Sequence, residues 1–184
     1  MSITSAKSGA TGISLALDNN FMEPIASALV GAGGVGIITF NDIPQTYKHL
    51  HLRVLGRSTN VASGQSMSIV INNDTSSGVY YFHRLRGTGS SALADAYADE
   101  REVMFLPAAN VASSIFAGGT IDILDYTNAS KNKTVRTLYG YDTNGGGQAS
   151  FQSELYISTI PVNTLSFVNN FAQYSRISLY GIKG

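Results

Sequence analysis

Three motifs bring reactive or ligating side chains close together along the chain. Gly31, Gly33 and Gly36 fit the pattern G-x-G-x-x-G. In dinucleotide-binding folds these glycines let a strand turn sharply into a helix whose N-terminus faces a pyrophosphate. Here Ile37, Ile38, Thr39 and Phe40 follow, a run that suits a strand and not that helix. The expectation is a flexible connection between two strands. His49 and His51 form an H-x-H pair, with His83 as a conceivable third member. Two imidazoles two residues apart on one strand can share a metal. No carboxylate or further histidine stands at a spacing that completes a tetrahedral set, so the pair reads as a solvent-facing or subunit-facing surface. Clustered histidines at an interface would make an assembly sensitive to pH. Asp142 and Asn144, ahead of three glycines, fall at positions 1 and 3 of a calcium loop. That loop needs a bidentate Glu at position 12, where this chain has Ser153, with Glu154 one place late.

Catalytic constellations are scarce. Asp122 and Asp125 are an odd number of residues apart, so on a strand they point to opposite faces. They make no acid–base pair of the kind a glycosidase sets across one bond. No G-x-S-x-G elbow is present. Cysteine is absent, which excludes disulfides, thiolate zinc sites, iron–sulfur clusters and Cys nucleophiles. The expectation is a protein without catalytic residues, cofactor or resident metal. The sequons at Asn73, Asn128 and Asn132 matter only in a secreted eukaryotic protein. Tyr139 and Tyr141, two residues apart before the glycine run, admit two readings. Tyrosines in strands mostly pack in the core or across strands. Near a loop tip they can instead form a platform for a glycan or a protein partner. On that second reading His49, His51, Tyr139, Tyr141 and Asn144 are the candidate surface contacts, with loops 73–78, 87–91 and 142–147 around them.

Positioning these residues falls to short strands. Residues 47–55, YKHLHLRVL, alternate strictly, so Leu50, Leu52 and Val54 face one side and His49, His51 and Arg53 the other. The same signature recurs at 36–40, 67–72, 79–86, 102–107, 120–126, 134–141, 150–158, 164–168 and 176–181, and more weakly at 13–17 and 24–30. Residues 142–147, DTNGGG, read as a hairpin tip where positive φ is cheap. In the last strand Ile177, Leu179 and Gly181 face one way and Ser178 and Tyr180 the other, and the pattern leaves open which face meets the core. Residues 91–101, SALADAYADER, are expected to form a short helical turn inside a long loop. Strands at this spacing, with no helices between them, predict an all-β, antiparallel β-sandwich of jelly-roll type.

Composition narrows the function classes. The chain has 184 residues, of which 43% are hydrophobic and only 13% charged, with 12 basic and 12 acidic side chains. That is enough apolar material for a core and too little positive charge to grip a phosphate backbone. No apolar run reaches the length of a membrane span. No apolar leader segment is visible at the N-terminus, so synthesis in a cytoplasm is expected. The polar surface draws on 22 Ser, 14 Thr and 13 Asn. A neutral, weakly charged surface of that kind is poorly protected from self-association, which suits a protein that lives in an assembly. Residues 1–20 are rich in small and polar side chains, with one apolar clump, ISLAL, at 13–17. They read as an N-terminal arm before a sandwich domain at 21–184. Ile13, Leu15 and Leu17 are its candidate assembly contacts, by adding a strand to the chain's own sheet or a neighbour's.

Four segments together resemble small structural proteins of tailed bacteriophages, of the marine and cyanobacterial type. They are Ile43-Pro44-Gln45-Thr46-Tyr47-Lys48-His49-Leu50 with Leu52-Arg53, Ile121-Asp122-Ile123-Leu124-Asp125-Tyr126, Lys133-Thr134-Val135-Arg136-Thr137-Leu138, and Phe171-Ala172-Gln173-Tyr174-Ser175 through Ser178-Leu179-Tyr180-Gly181-Ile182-Lys183-Gly184. In longer relatives, similar modules stand at the ends of tail proteins. The resemblance implies a virion component with a β-sandwich body and no catalytic residues. The expected role is capsid decoration or cement, as a homotrimer bound non-covalently to the major capsid protein. The alternative is a tail-tip module that binds a receptor or a host-surface glycan. Neither role calls for nucleic acid or a membrane.

Overall fold

A computed structural model describes residues 21–62 and 65–184. The described chain forms twelve strands: β1 (Met22–Leu29), β2 (Val35–Phe40), β3 (His49–Gly56), β4 (Gln65–Ile71), β5 (Tyr80–Gly87), β6 (Ala92–Ala98), β7 (Glu102–Leu106), β8 (Ala117–Leu124), β9 (Lys133–Asp142), β10 (Gly147–Tyr156), β11 (Leu165–Phe171) and β12 (Arg176–Ile182). An eight-stranded sheet has the order β1-β12-β3-β8-β9-β10-β5-β6, and a four-stranded sheet has the order β2-β11-β4-β7. Every pairing is antiparallel.

The pairings are nested. β5 pairs with β6, β4 with β7, β3 with β8, β2 with β11 and β1 with β12. Each pair encloses the one before it, and successive pairs alternate between the two sheets. This is a long ribbon rolled into two layers, the jelly-roll plan. The β9–β10 hairpin is an insertion that fills the space between β8 and β5.

The core lies where the inward stripes of the two sheets meet. Leu50 and Leu52 of β3, Ile121 and Ile123 of β8, and Ile177 and Leu179 of β12 face Met67, Ile69 and Ile71 of β4 and Leu165, Phe167 and Phe171 of β11, all fully buried. Period-two alternation thus assigned the faces of β3, and burial of Ile177 and Leu179 decides the face of β12. Gly181 continues that stripe, and the Tyr47 ring lies directly over it, in the space a Cβ would occupy.

One expectation changes. Residues 91–101 contain no helical turn. Ala92, Ala94, Ala96 and Ala98 lie on one side of a regular strand, β6, and Leu93, Asp95 and Tyr97 on the other. Alanine favours helices in isolation, but a complete partner strand overrides that preference. The G-x-G-x-x-G segment connects β1 to β2 as expected, with Gly33 at φ 95° and Gly34 at φ 73°. Loop 142–147 is the β9–β10 hairpin tip, with positive φ at Asn144, Gly145 and Gly147. Ile13, Leu15 and Leu17 lie outside the described residues.

At one end of the sandwich, the long β7–β8 connection is tied by backbone bonds from Ser58 to Pro107 and from Ala109 to Asn60, and by one buried side chain. Arg57 is 6% exposed. Its guanidinium donates to the carbonyls of Ala112 (2.8 Å), Ile115 (3.1 Å), Ala109 (3.2 Å) and Val111 (2.5 Å). Ala109 and Ala112 are exposed, and the Ala112 carbonyl also accepts from the Ile115 amide, so the group this arrangement satisfies is the buried guanidinium, whose charge would be costly without partners. Arg57→Ala is expected to lower unfolding free energy by about 2–4 kcal/mol in chemical denaturation. Arg57→Lys should recover only part of this, because an ammonium lacks the planar fork.

Candidate interaction surface

Alternation that sends apolar residues inward should leave the outer face polar. Over β9, β10 and β5 it does not. Phe151 of β10 pairs with Leu85 of β5 on one side and with Leu138 of β9 on the other. The three are 46%, 61% and 61% exposed respectively. Tyr81 and Leu155 form a second exposed pair further along the same face, beyond an intervening polar row of His83, Ser153 and Arg136. On the β6 side, the methyl groups of Ala94 and Ala96 extend the surface at the level of Leu85 and His83. Two shallow depressions, of about 310 Å³ and 440 Å³, both include Leu85 and Phe151 in their walls. Single exposed apolar residues are ordinary, but a contiguous stripe across adjacent strands marks a surface that something covers.

Beneath the stripe the interior is polar. Arg84 points inward from β5 and is almost fully buried. It pairs with Asp95 of β6 at 3.0 Å and with Glu102 of β7, and its guanidinium lies over the rings of Phe105 (4.9 Å) and Phe82 (5.5 Å). Burial acts to lower the Arg84 pKa, but the Glu102 charge and the Asp95 hydrogen bond outweigh it, and the net shift is upward. Gln152 of β10 donates its amide to the Glu102 carbonyl. Glu154, two residues along β10, is 2% exposed, and neither carboxyl oxygen meets a hydrogen-bond partner among the described residues. Burial pushes the Glu154 carboxyl well above its ordinary value, opposed by Gln152 and reinforced by Glu102.

The sequence-derived contacts fall in three places. His49 and His51 are half-buried on the outer face of β3. His51 Nδ1 sits 2.7 Å from Asp122 Oδ1 of β8. The Asp125 amide donates to His49 Nδ1 at 2.9 Å. Asp125 lies beyond the end of β8 with φ 47°, so the parity argument that separates it from Asp122 on a strand does not apply. Both aspartates lie against the histidine pair. The Asp125 carboxylate is held by Lys131 at 2.9 Å and Lys48 at 3.3 Å, and these two cations keep its pKa low. No group of three or more potential metal ligands occurs among the described residues.

Tyr139 is a correction. It is 3% exposed and faces inward, so its ring is core packing and offers no surface platform. Tyr141, half-buried, lines a depression of about 540 Å³ at one end of the sandwich, together with residues of loops 87–89 and 145–147. Asn144 stands exposed at the adjoining hairpin tip. Loops 87–91 and 142–147 therefore meet there. Loop 73–78 precedes β5 and lies at the opposite end, where Tyr156 donates to Asp74 at 2.9 Å. The apolar stripe was missed in the sequence. Its signal was present: Leu85, Leu138 and Phe151 all occupy polar-face positions of alternating segments.

No protein-family model matches the chain, and neither a curated protein nor a solved structure matches it.

The buried carboxyl gives a pH signature. A folded-state pKa raised above the ordinary 4.5 means that the Glu154 contribution is fully present below about pH 4.5 and is lost as pH rises toward the folded value. Glu154→Gln should therefore flatten the fall in stability between pH 4.5 and pH 7, and should make the protein more stable than wild type at pH 7 but not at pH 4. Denaturant titrations at the two pH values measure the difference, and parallel pH profiles would show that Glu154 is not the group responsible.

Proposed function

We propose that this chain is a virion structural protein of a tailed bacteriophage, acting as a capsid decoration or cement protein through non-covalent subunit contacts. The exposed stripe of Leu85, Phe151 and Leu138 carries the reading. It spans three adjacent strands of a rigid sheet, and burying an apolar surface of that kind drives association without any directional chemistry. The jelly-roll body and its low charge are compatible with a protein repeated many times on a symmetric particle. The segments that resemble tailed-phage structural proteins supply the identity of the particle.

A tail-tip role in receptor or glycan binding is the second reading. It rests on the depression of about 540 Å³ at the meeting of the β5–β6 turn and the β9–β10 tip, where Tyr141 contributes an aromatic wall and the glycines leave backbone groups accessible. Aromatic faces beside polar backbone suit a sugar ring.

Stoichiometry separates the two. A decoration protein is expected at about a third to one copy per major capsid subunit in purified particles, and a tail-tip module at a few copies per particle. Absence from the particle would overturn both. Within the first reading, Leu138→Lys and Phe151→Glu should each reduce particle attachment by at least about tenfold, or about 1.4 kcal/mol, while leaving the thermal midpoint within a few degrees of wild type. Attachment unchanged in both variants would remove the stripe from the assembly contact.

A further inference from the structure

β6 closes one edge of the eight-stranded sheet, and two hydrogen bonds fix which of its backbone groups face outward. Asp99 N–H donates to the Tyr80 carbonyl at 2.7 Å, and Thr88 N–H to the Ser91 carbonyl at 3.0 Å. Hydrogen-bonded and non-bonded residue pairs alternate along an antiparallel ladder. The register runs without a break from Tyr81 opposite Ala98 to Gly87 opposite Ala92. The bonded pairs between those ends are therefore Phe82 with Tyr97, Arg84 with Asp95 and Arg86 with Leu93. Ala92, Ala94, Ala96 and Ala98 turn their N–H and C=O groups away from β5.

The other sheet edges are interrupted. β1 carries Pro24 and a register shift beside it. The β2–β11 ladder breaks between Val168 and Phe171. β7 has five residues and a register shift opposite Met67 and Ser68. Bulges, prolines and exposed charges are the ordinary means of keeping an edge from pairing with another chain. β6 has seven residues and no register shift, proline or basic side chain. Its one charge, Asp95, is turned inward and neutralised by Arg84 and Arg86, each at 3.0 Å.

We propose that β6 pairs antiparallel with β6 of a second copy of this chain, about a two-fold axis beside Asp95, so that the large sheet continues through the pair. The register that uses the whole strand sets Ala92 opposite Ala98 of the other copy and Ala94 opposite Ala96, and makes about eight backbone hydrogen bonds. Only another strand complements such an alternating row of donors and acceptors. Only a strand with small outer-face side chains lies level with these alanines, and β6 is itself that strand. Leu85 and Phe151 of each copy then flank a shared floor of alanine methyl groups, continuous with the apolar stripe. An isologous contact of this kind joins copies in twos and by itself cannot close the three-fold ring of the expected homotrimer. The edge alone falls short of the roughly 800 Å² per partner of a standard interface, so the pair is expected to dissociate on dilution. The inference stands on edge geometry and does not depend on the virion reading.

Sedimentation velocity and amide hydrogen exchange on the full chain test it. The mass is expected to move from 19.5 kDa toward twice that value as concentration rises, with exchange at Ala94 and Ala96 slowing in step. Ala96→Pro removes an outward N–H without taking a bond from β5, and Ala94→Lys places a charge on the floor of each copy. Both should weaken pairing by at least about tenfold with an unchanged far-ultraviolet circular dichroism spectrum. Should the proline variant misfold, the lysine variant carries the test. The proposal is overturned by a wild-type chain that stays monomeric, by a trimer, by a dimer insensitive to Ala94→Lys, or by a dimer whose Ala94 and Ala96 amides exchange as fast as in the monomer. The last result would place the contact on the apolar stripe instead.

Discussion

The Arg84 guanidinium ties together what the apolar core does not reach. It binds a carboxylate on β6 and another on β7, strands of different sheets, from its own position on β5. On this side the sandwich is closed by ion pairs and by the rings of Phe82 and Phe105, and elsewhere by packing of aliphatic and aromatic side chains. Buried ion pairs of this kind add little over a well-packed apolar alternative, but losing one member is severe, because the other charges remain buried without a partner. Asp95 is thereby drawn inward, and β6 presents a neutral edge. The polar interior and the apolar exterior of β5, β9 and β10 have a common origin. The residues that alternate with Leu85 and Phe151 are Arg84, Gln152 and Glu154, so this part of the sheet has its ordinary polarity reversed.

This inversion explains why the fold was easier to read than the surface. Alternation located nearly all the strands, because period two survives whichever face is buried. The inner face of β3 followed from Leu50 and Leu52, whereas that of β12 was fixed only by the burial of Ile177 and Leu179. Alternation does not say which stripe is inside when both contain apolar residues, and so it leaves Leu85, Leu138 and Phe151 without an assigned face and Tyr139 open between core packing and a surface platform. Burial places the first three on the outer face and Tyr139 in the core.

Other features depend on non-local geometry. Arg57 meets carbonyls more than fifty residues away, and nothing local in the sequence marks it. The approach of Asp125 to His49 depends on a left-handed residue just past a strand end. β6 was obscured by the helix preference of alanine, although its alternation was complete. Its strand character comes from β5, and a partner strand is information the segment does not carry.

The nesting of the strand pairs has a kinetic consequence. β5 and β6 are joined by a four-residue turn, residues 88–91, whereas β1 and β12 bring together residues about 150 positions apart, such as Ser27 and Ser178. Closing a long loop costs more entropy than closing a short one, and each inner pair shortens the loop that the next must close. Loop entropy thus favours pairing outward from the β5–β6 turn, with the two ends of the described chain the costliest to join. A chain built this way has high contact order and folds slowly. Its innermost ribbon, which carries the open alanine edge, shares with the β9–β10 hairpin the shortest loop to close, so entropy favours its pairing ahead of the strands that later surround it.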